Sequence, residues 1–129
     1  MKSDISRDTL ETSANYESVR LQQGRVILDA DWYEQIDLQN LAEERASRDV
    51  LGESGAPEQG GGFALSVSGA SDVRVSAGRF YIDGILFENS TETALTAQAN
   101  LPGYALPDAD GLYLAYLDVW LRGVTFLER

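Results

Sequence analysis

Paired carboxylates are the chemistry this sequence comes closest to offering. Two acids flanking a scissile bond are enough for a glycoside hydrolase. Asp29 and Asp31 stand two residues apart, and so do Asp108 and Asp110. The first pair lies where a helix should begin, so capping and the helix dipole account for it. The second, in Asp-Ala-Asp-Gly, is a fragment of a calcium loop without the terminal Glu that completes one, and it reads as a turn. Asp118 lies in an apolar run and Asp83 in a turn, and spacing pairs neither with a partner. Arg25, Arg79 and Arg122 are single bases beside apolar runs; Arg79 is expected to pair with an acid on a neighbouring strand. The chain has no histidine and no cysteine. Histidine general bases, Ser-His-Asp triads and thiolate chemistry are therefore excluded. The expectation is a chain that is not an enzyme, with no catalytic residue, no metal ligand set and no cofactor.

Two further patterns imitate ligand sites. The segment GESGAPEQGGG (52–62) has the glycines of a phosphate loop but no Lys-Ser/Thr after them and no helix to follow, so it reads as a linker. The aromatic residues Trp32, Tyr33, Phe80, Tyr81, Phe87, Tyr113, Tyr116 and Trp120 could line a sugar platform. In a strand, alternation puts Tyr113 opposite Tyr116 and Trp120, so core comes first and interface second.

Charge narrows the partners. The chain carries 21 acidic against 10 basic residues, a net −11. That field repels nucleic acid and anionic membrane alike. No apolar run approaches the roughly 20 residues that span a bilayer. The N-terminal MKSDISRDTLETSANY has no apolar stretch of the signal-peptide kind. Synthesis in the cytosol is expected, with no membrane insertion and no nucleic-acid partner.

The elements that must position these residues fall into two regimes. Residues 1–28 are expected to form an extended arm and connector with spaced anchors at Ile5, Leu10, Tyr16 and Val19. Residues 29–129 are expected to form an α+β module. The spacing predicts a helix over 30–51, with Asp29 or Asp31 as its cap and Asp31-Glu34 as a capping-box pattern. Glu44–Arg48 and Arg45–Asp49 support its exposed face, and Gly52 ends it. Its apolar arc, including Trp32, Ile36, Leu38 and Leu41, is wider than one core face needs. From residue 63 the period becomes two: FALSVS (63–68), VRVSA (73–77), RFYI (79–82), ILFE (85–88) and ALTA (94–97). Asp83-Gly84 between apolar runs signals a tight hairpin. GLYLAYLDVWLRGVTFL (111–127) is the longest β-like stretch. The expected fold is one long helix packed on a mainly antiparallel sheet, with an extended N-terminal arm. The abrupt end after Phe126-Leu127 reads as the N-terminal part of a longer polypeptide.

Three landmarks carry a family resemblance. The first is Lys2, Asp4, Ser6, Arg7 and Asp8, followed by Gln22 to Val26, Leu28 to Trp32 and Glu34-Gln35. The second is Gly78 to Gly84 with Leu86, Glu88 and Asn89. The third is Tyr113 to Trp120. Together they make the chain resemble an uncharacterised domain family found among components of phage-tail-like contractile injection systems, in baseplate, fibre and particle-attachment proteins. The resemblance implies a structural or adaptor part that assembles with other tail or baseplate proteins. Such a part is made in the cytoplasm and ends in an extracellular or cell-associated particle. A wide helix arc and aromatics on both strand faces lead to homo-oligomerisation or stable docking. The expected contact residues are Ile5, Arg7, Leu10, Tyr16, Trp32, Tyr33, Tyr81 and Trp120. The alternative is a carbohydrate- or cell-surface-binding module that uses exposed aromatics.

Overall fold

The computed structural model describes residues 6–68 and 72–124. It is a mixed α+β chain with one long helix and two small antiparallel sheets. The chain divides into two compact units, residues 1–38 with 109–129, and residues 39–108. Helix α1 (Asp29–Leu51) runs from the first into the second. Ile5 lies outside the described residues.

In the first unit, residues 6–28 form no strand and a single 3-10 turn at Thr12–Ala14, followed by left-handed Asn15. The turn after Gln22 closes through the Arg25 amide on the Gln22 carbonyl, with Gly24 at φ +79. Helix α1 begins one residue earlier than its periodicity suggests. Asp29 is inside the helix, and Asp31 reaches back to accept a 3.1 Å hydrogen bond from the Leu28 amide. That is the return half of a capping box, with Leu28 in the cap position. Leu38 is the one buried apolar side chain among the described residues, 5% exposed.

In the second unit, α1 ends at Gly52, whose amide bonds the Arg48 carbonyl at 2.8 Å and whose φ is +82. That left-handed end favours glycine, as the sequence suggests. One sheet joins β1 (Ser54–Gly55), β4 (Gly78–Ile82) and β5 (Ile85–Asn89) in the order β1-β4-β5. The β4–β5 register pairs Phe80 with Phe87 and Ile82 with Ile85. Asp83 and Gly84 both have positive φ, +53 and +83, as a type I′ hairpin turn demands. The other sheet joins β2 (Leu65–Ser68), β3 (Asp72–Val75) and β6 (Thr93–Ala94) in the order β2-β3-β6. Residues 95–97 continue as a 3-10 turn where a strand over 94–97 was expected.

Two expectations are corrected. The glycine-rich 52–62 segment is no free linker. Ser54 and Gly55 pair with Ile82 and Tyr81, Gly61 bridges Arg79, and the Gly62 amide bonds the Arg79 carbonyl at 3.0 Å. Gly62 and Gly78 cross so closely that neither has room for a Cβ, so glycine here serves close approach. The second correction concerns 111–127. Among the described residues, 112–124 form no strand, and 125–127 lie outside them. The alternating pattern is present, but no strand among the described residues supplies a ladder. Period-two patterning gives a strand only where backbone partners exist.

Candidate interaction surfaces

The arm is fastened to α1 by polar side chains. The Ser6 hydroxyl donates to the Asp29 carboxylate, and Thr9 Oγ1 donates to Glu34 Oε2 at 2.5 Å. The Val19 amide donates to Gln35 Oε1 at 2.8 Å. Asp29, Glu34 and Gln35 lie on the first two turns of α1, where carboxylates are also favoured by the helix dipole. The hydrogen bond from Ser6 holds the Asp29 carboxyl below its ordinary pKa; desolvation opposes it, and the weaker bonds from the Ala30 and Asp29 amides add to the lowering. Arg7 is exposed and forms no ion pair with a described residue, whereas Asp8 turns back to accept from the Leu10 amide.

The remaining sequence candidates are divided between the two units. Leu10 is half-buried in the arm, and Tyr16 is 60% exposed. Trp32 is 63% exposed and Tyr33 is also open, both on the first turn of α1. Trp120 and Tyr116 are open to solvent in the 111–124 segment. Tyr81 belongs to the second unit, half-buried in β4 opposite Leu86. No group of three His, Cys, Asp or Glu residues converges among the described residues, Asp108 and Asp110 included.

The first unit holds a shallow hollow of about 200 Å³ just ahead of α1. Aliphatic residues (Val19, Leu21, Val26 and Ile27) and polar or charged ones (Arg20, Gln22, Arg25 and Asp31) line it together, and Leu21, Val26 and Ile27 stay largely exposed. The sequence signals it only weakly, as bases interleaved with aliphatic residues around the Gly24 turn.

In the second unit the hairpin turn is seated against the last turns of α1. Arg48 Nη2 lies 3.1 Å from Asp83 Oδ1 and donates to the Asp83 carbonyl at 3.3 Å. The Asp83 amide donates to the Glu53 carbonyl at 2.8 Å, and Gly84 passes directly over the Glu44 carbonyl. Arg48 therefore pairs across to the turn and not with Glu44 along the helix. The Arg79 guanidinium wraps the glycine loop and donates to the Gln59 carbonyl at 3.2 Å, although Glu88 sits opposite it in the register. Phe63 packs edge-on against Phe80, ring centroids 6.2 Å apart. Ser76 joins the two sheets: it bonds Phe63 and Ala64 and accepts from the Asn89 side chain at 3.0 Å. Sequence reasoning missed Gln35 and Ser76, since neither residue type announces a docking role by spacing.

Among the described residues no helix is long and apolar enough to cross a membrane. No curated protein and no solved structure matches the chain. A family model does match, over residues 1–129, and the chain belongs to that family of unknown function, DUF6519.

Proposed function

We propose that this chain is a structural or adaptor module of a phage-tail-like contractile injection particle, acting at the baseplate, a fibre or the particle exterior, and that it catalyses no reaction. The observation that carries the reading is the apolar surface open in the first unit. Val26 is 85% exposed, Trp32 63%, Leu114 90% and Tyr116 84%. Large apolar groups left open in this number mark interaction surfaces. The three sequence landmarks that resemble tail-particle components point to the kind of partner. Partners are therefore other tail or baseplate proteins, further copies of this chain, or both, and the finished particle acts outside or at the surface of the cell. The test is a tagged chain expressed with its native particle genes, followed by particle sedimentation and mass spectrometry. Co-sedimentation with baseplate or fibre proteins is expected; a chain that stays in the soluble fraction with none of them overturns the reading.

The exposure of Tyr116 and Trp120 keeps a second reading in play, a carbohydrate- or cell-surface-binding module. Exposed aromatic faces stack on sugar rings as well as on protein. A glycan array probed with the full chain separates the two: saturable binding lost in Trp120→Ala favours the second.

A further inference from the structure

The dipeptide Asp-Gly occurs twice in this chain, at Asp83-Gly84 and at Asp110-Gly111. Asp-Gly isomerises without an enzyme. The glycine amide nitrogen attacks the carboxyl carbon of the aspartate side chain, an N–C bond forms, and one carboxyl oxygen leaves as water. The cyclic imide so made takes up water again at either of its carbonyls. Opening at the main-chain carbonyl leaves isoaspartate, in which the chain runs through the side-chain carbon; opening at the other restores aspartate. Water lost is water regained, and nothing is oxidised or reduced. Glycine favours the step because it sets no Cβ beside the attacking nitrogen. The peptide between the two residues must also turn until its nitrogen meets the carboxyl carbon, so a backbone that is held in place suppresses it.

The two copies differ in how they are held. Asp83-Gly84 is closed off by the Ile82–Ile85 pair of the β4–β5 ladder. The Asp83 amide donates to the Glu53 carbonyl at 2.8 Å, and Arg48 Nη2 reaches both the Asp83 carboxylate, at 3.1 Å, and the Asp83 carbonyl. Gly84 lies directly over the Glu44 carbonyl. Turning that peptide would break the end of the ladder and lift the hairpin from α1. Asp110-Gly111 has none of this. Both residues are exposed and belong to no helix or strand. The Asp110 carboxylate has no hydrogen bond or ion pair with a described residue. Apart from its chain neighbours, nothing approaches a Cβ built at Gly111 more closely than the Tyr113 hydroxyl, at 3.6 Å, so the peptide has room to turn. We propose that Asp110 is a site of spontaneous isoaspartate formation in the folded chain, and that the fold shields the same dipeptide at Asp83. The product carries one more methylene in the main chain between Asp110 and Gly111. The Tyr113 hydroxyl spans that link, donating to the Ala109 carbonyl at 2.6 Å, so the modification displaces this contact.

The test is prolonged incubation of the full chain in mildly acidic buffer, native and urea-unfolded, followed by peptide mapping. An isoaspartyl peptide keeps its mass, elutes apart from the aspartyl form and resists a protease that cuts before aspartate. In the native chain isoaspartate should accumulate at least about tenfold faster at Asp110 than at Asp83, because the hairpin must first open locally. In urea the two rates should converge, since both positions then present the same unfolded dipeptide. Gly111→Ala should slow the reaction at Asp110 by at least about tenfold, because the added methyl crowds the attacking nitrogen. That methyl meets Tyr113 only at ordinary contact distance, and circular dichroism checks that the variant folds. Equal or reversed rates at the two positions in the native chain, a difference that survives in urea, or an unchanged rate at Asp110 in folded Gly111→Ala overturns the proposal.

Discussion

A methyl group added at Gly84 would overlap the Glu44 carbonyl and would also have to hold φ +83. Gly103 has nearly the same φ, +78, with nothing within 4 Å of the added atom. The two positions therefore separate conformational strain from collision. Gly103→Ala is expected to cost about 1–2 kcal/mol, the ordinary cost of a left-handed non-glycine residue. Gly84→Ala should cost more, because the hairpin turn must also lift from the helix. Urea unfolding of the two variants checks this, and equal costs would mean that the turn yields without loss. Arg48 is a milder case. Its pair with Asp83 has side chains 54% and 62% exposed, so Arg48→Ala should cost no more than about 1 kcal/mol.

The arm and α1 show what local pattern can and cannot convey. The helix was legible over nearly its full length, because its apolar spacing, acidic start and terminal glycine agree. The Asp-Gly hairpin was legible for the same reason, since few residue pairs accept two positive φ values. The arm's attachment was not. It depends on Ser6, Thr9 and the Val19 amide meeting Asp29, Glu34 and Gln35, and hydrogen bonds between sequence-distant polar groups leave no period. One of these bonds titrates. The Asp29 carboxyl has its pKa lowered in the folded chain. A depressed carboxyl contributes stability above its unfolded pKa and loses it as pH falls through the folded value. Acidification below about pH 4 should therefore loosen the arm, and amide exchange at arm residues near Ser6 should rise before exchange in β4 and β5. Asp29→Asn should remove that difference between the arm and the sheet. Equal acid sensitivity in arm and sheet would show that Ser6–Asp29 does not hold the arm.

Taken whole, the chain was read correctly in class and less well in its connections. An α+β fold with antiparallel pairing followed from the change of period at residue 63. Among the described residues the sheet did not continue through 111–124, because alternation reports which faces are apolar and says nothing about where a backbone partner lies. The 52–62 loop was misread for the opposite reason: glycine suits both a free linker and a close backbone crossing, and composition cannot separate them. Of the candidate contact residues, Tyr81 lies in a different unit from the described others, which no spacing rule could show. Net charge sets a further expectation. With −11 on each copy, repulsion opposes association at low ionic strength, where the Debye length is long. Self-association should tighten as salt rises from very low to physiological levels, measured by light scattering. Association that weakens steadily over that range would mean that local ion pairs outweigh the overall field.

The seating of the hairpin turn on α1 also bears on the order of folding. The β4–β5 ladder closes through a two-residue turn, and such hairpins form in about 1–10 μs. The Arg48–Asp83 contact joins residues 35 apart in sequence, and loop closure of that length is entropically costly before any contact rewards it. The hairpin should therefore be built first and dock onto the helix afterwards. In chevron measurements, Ile82→Val and Ile85→Val would slow refolding, whereas Arg48→Ala, which touches only the docking contact, would mainly speed unfolding. The opposite assignment would place the helix contact in the nucleus and leave the hairpin to form upon it.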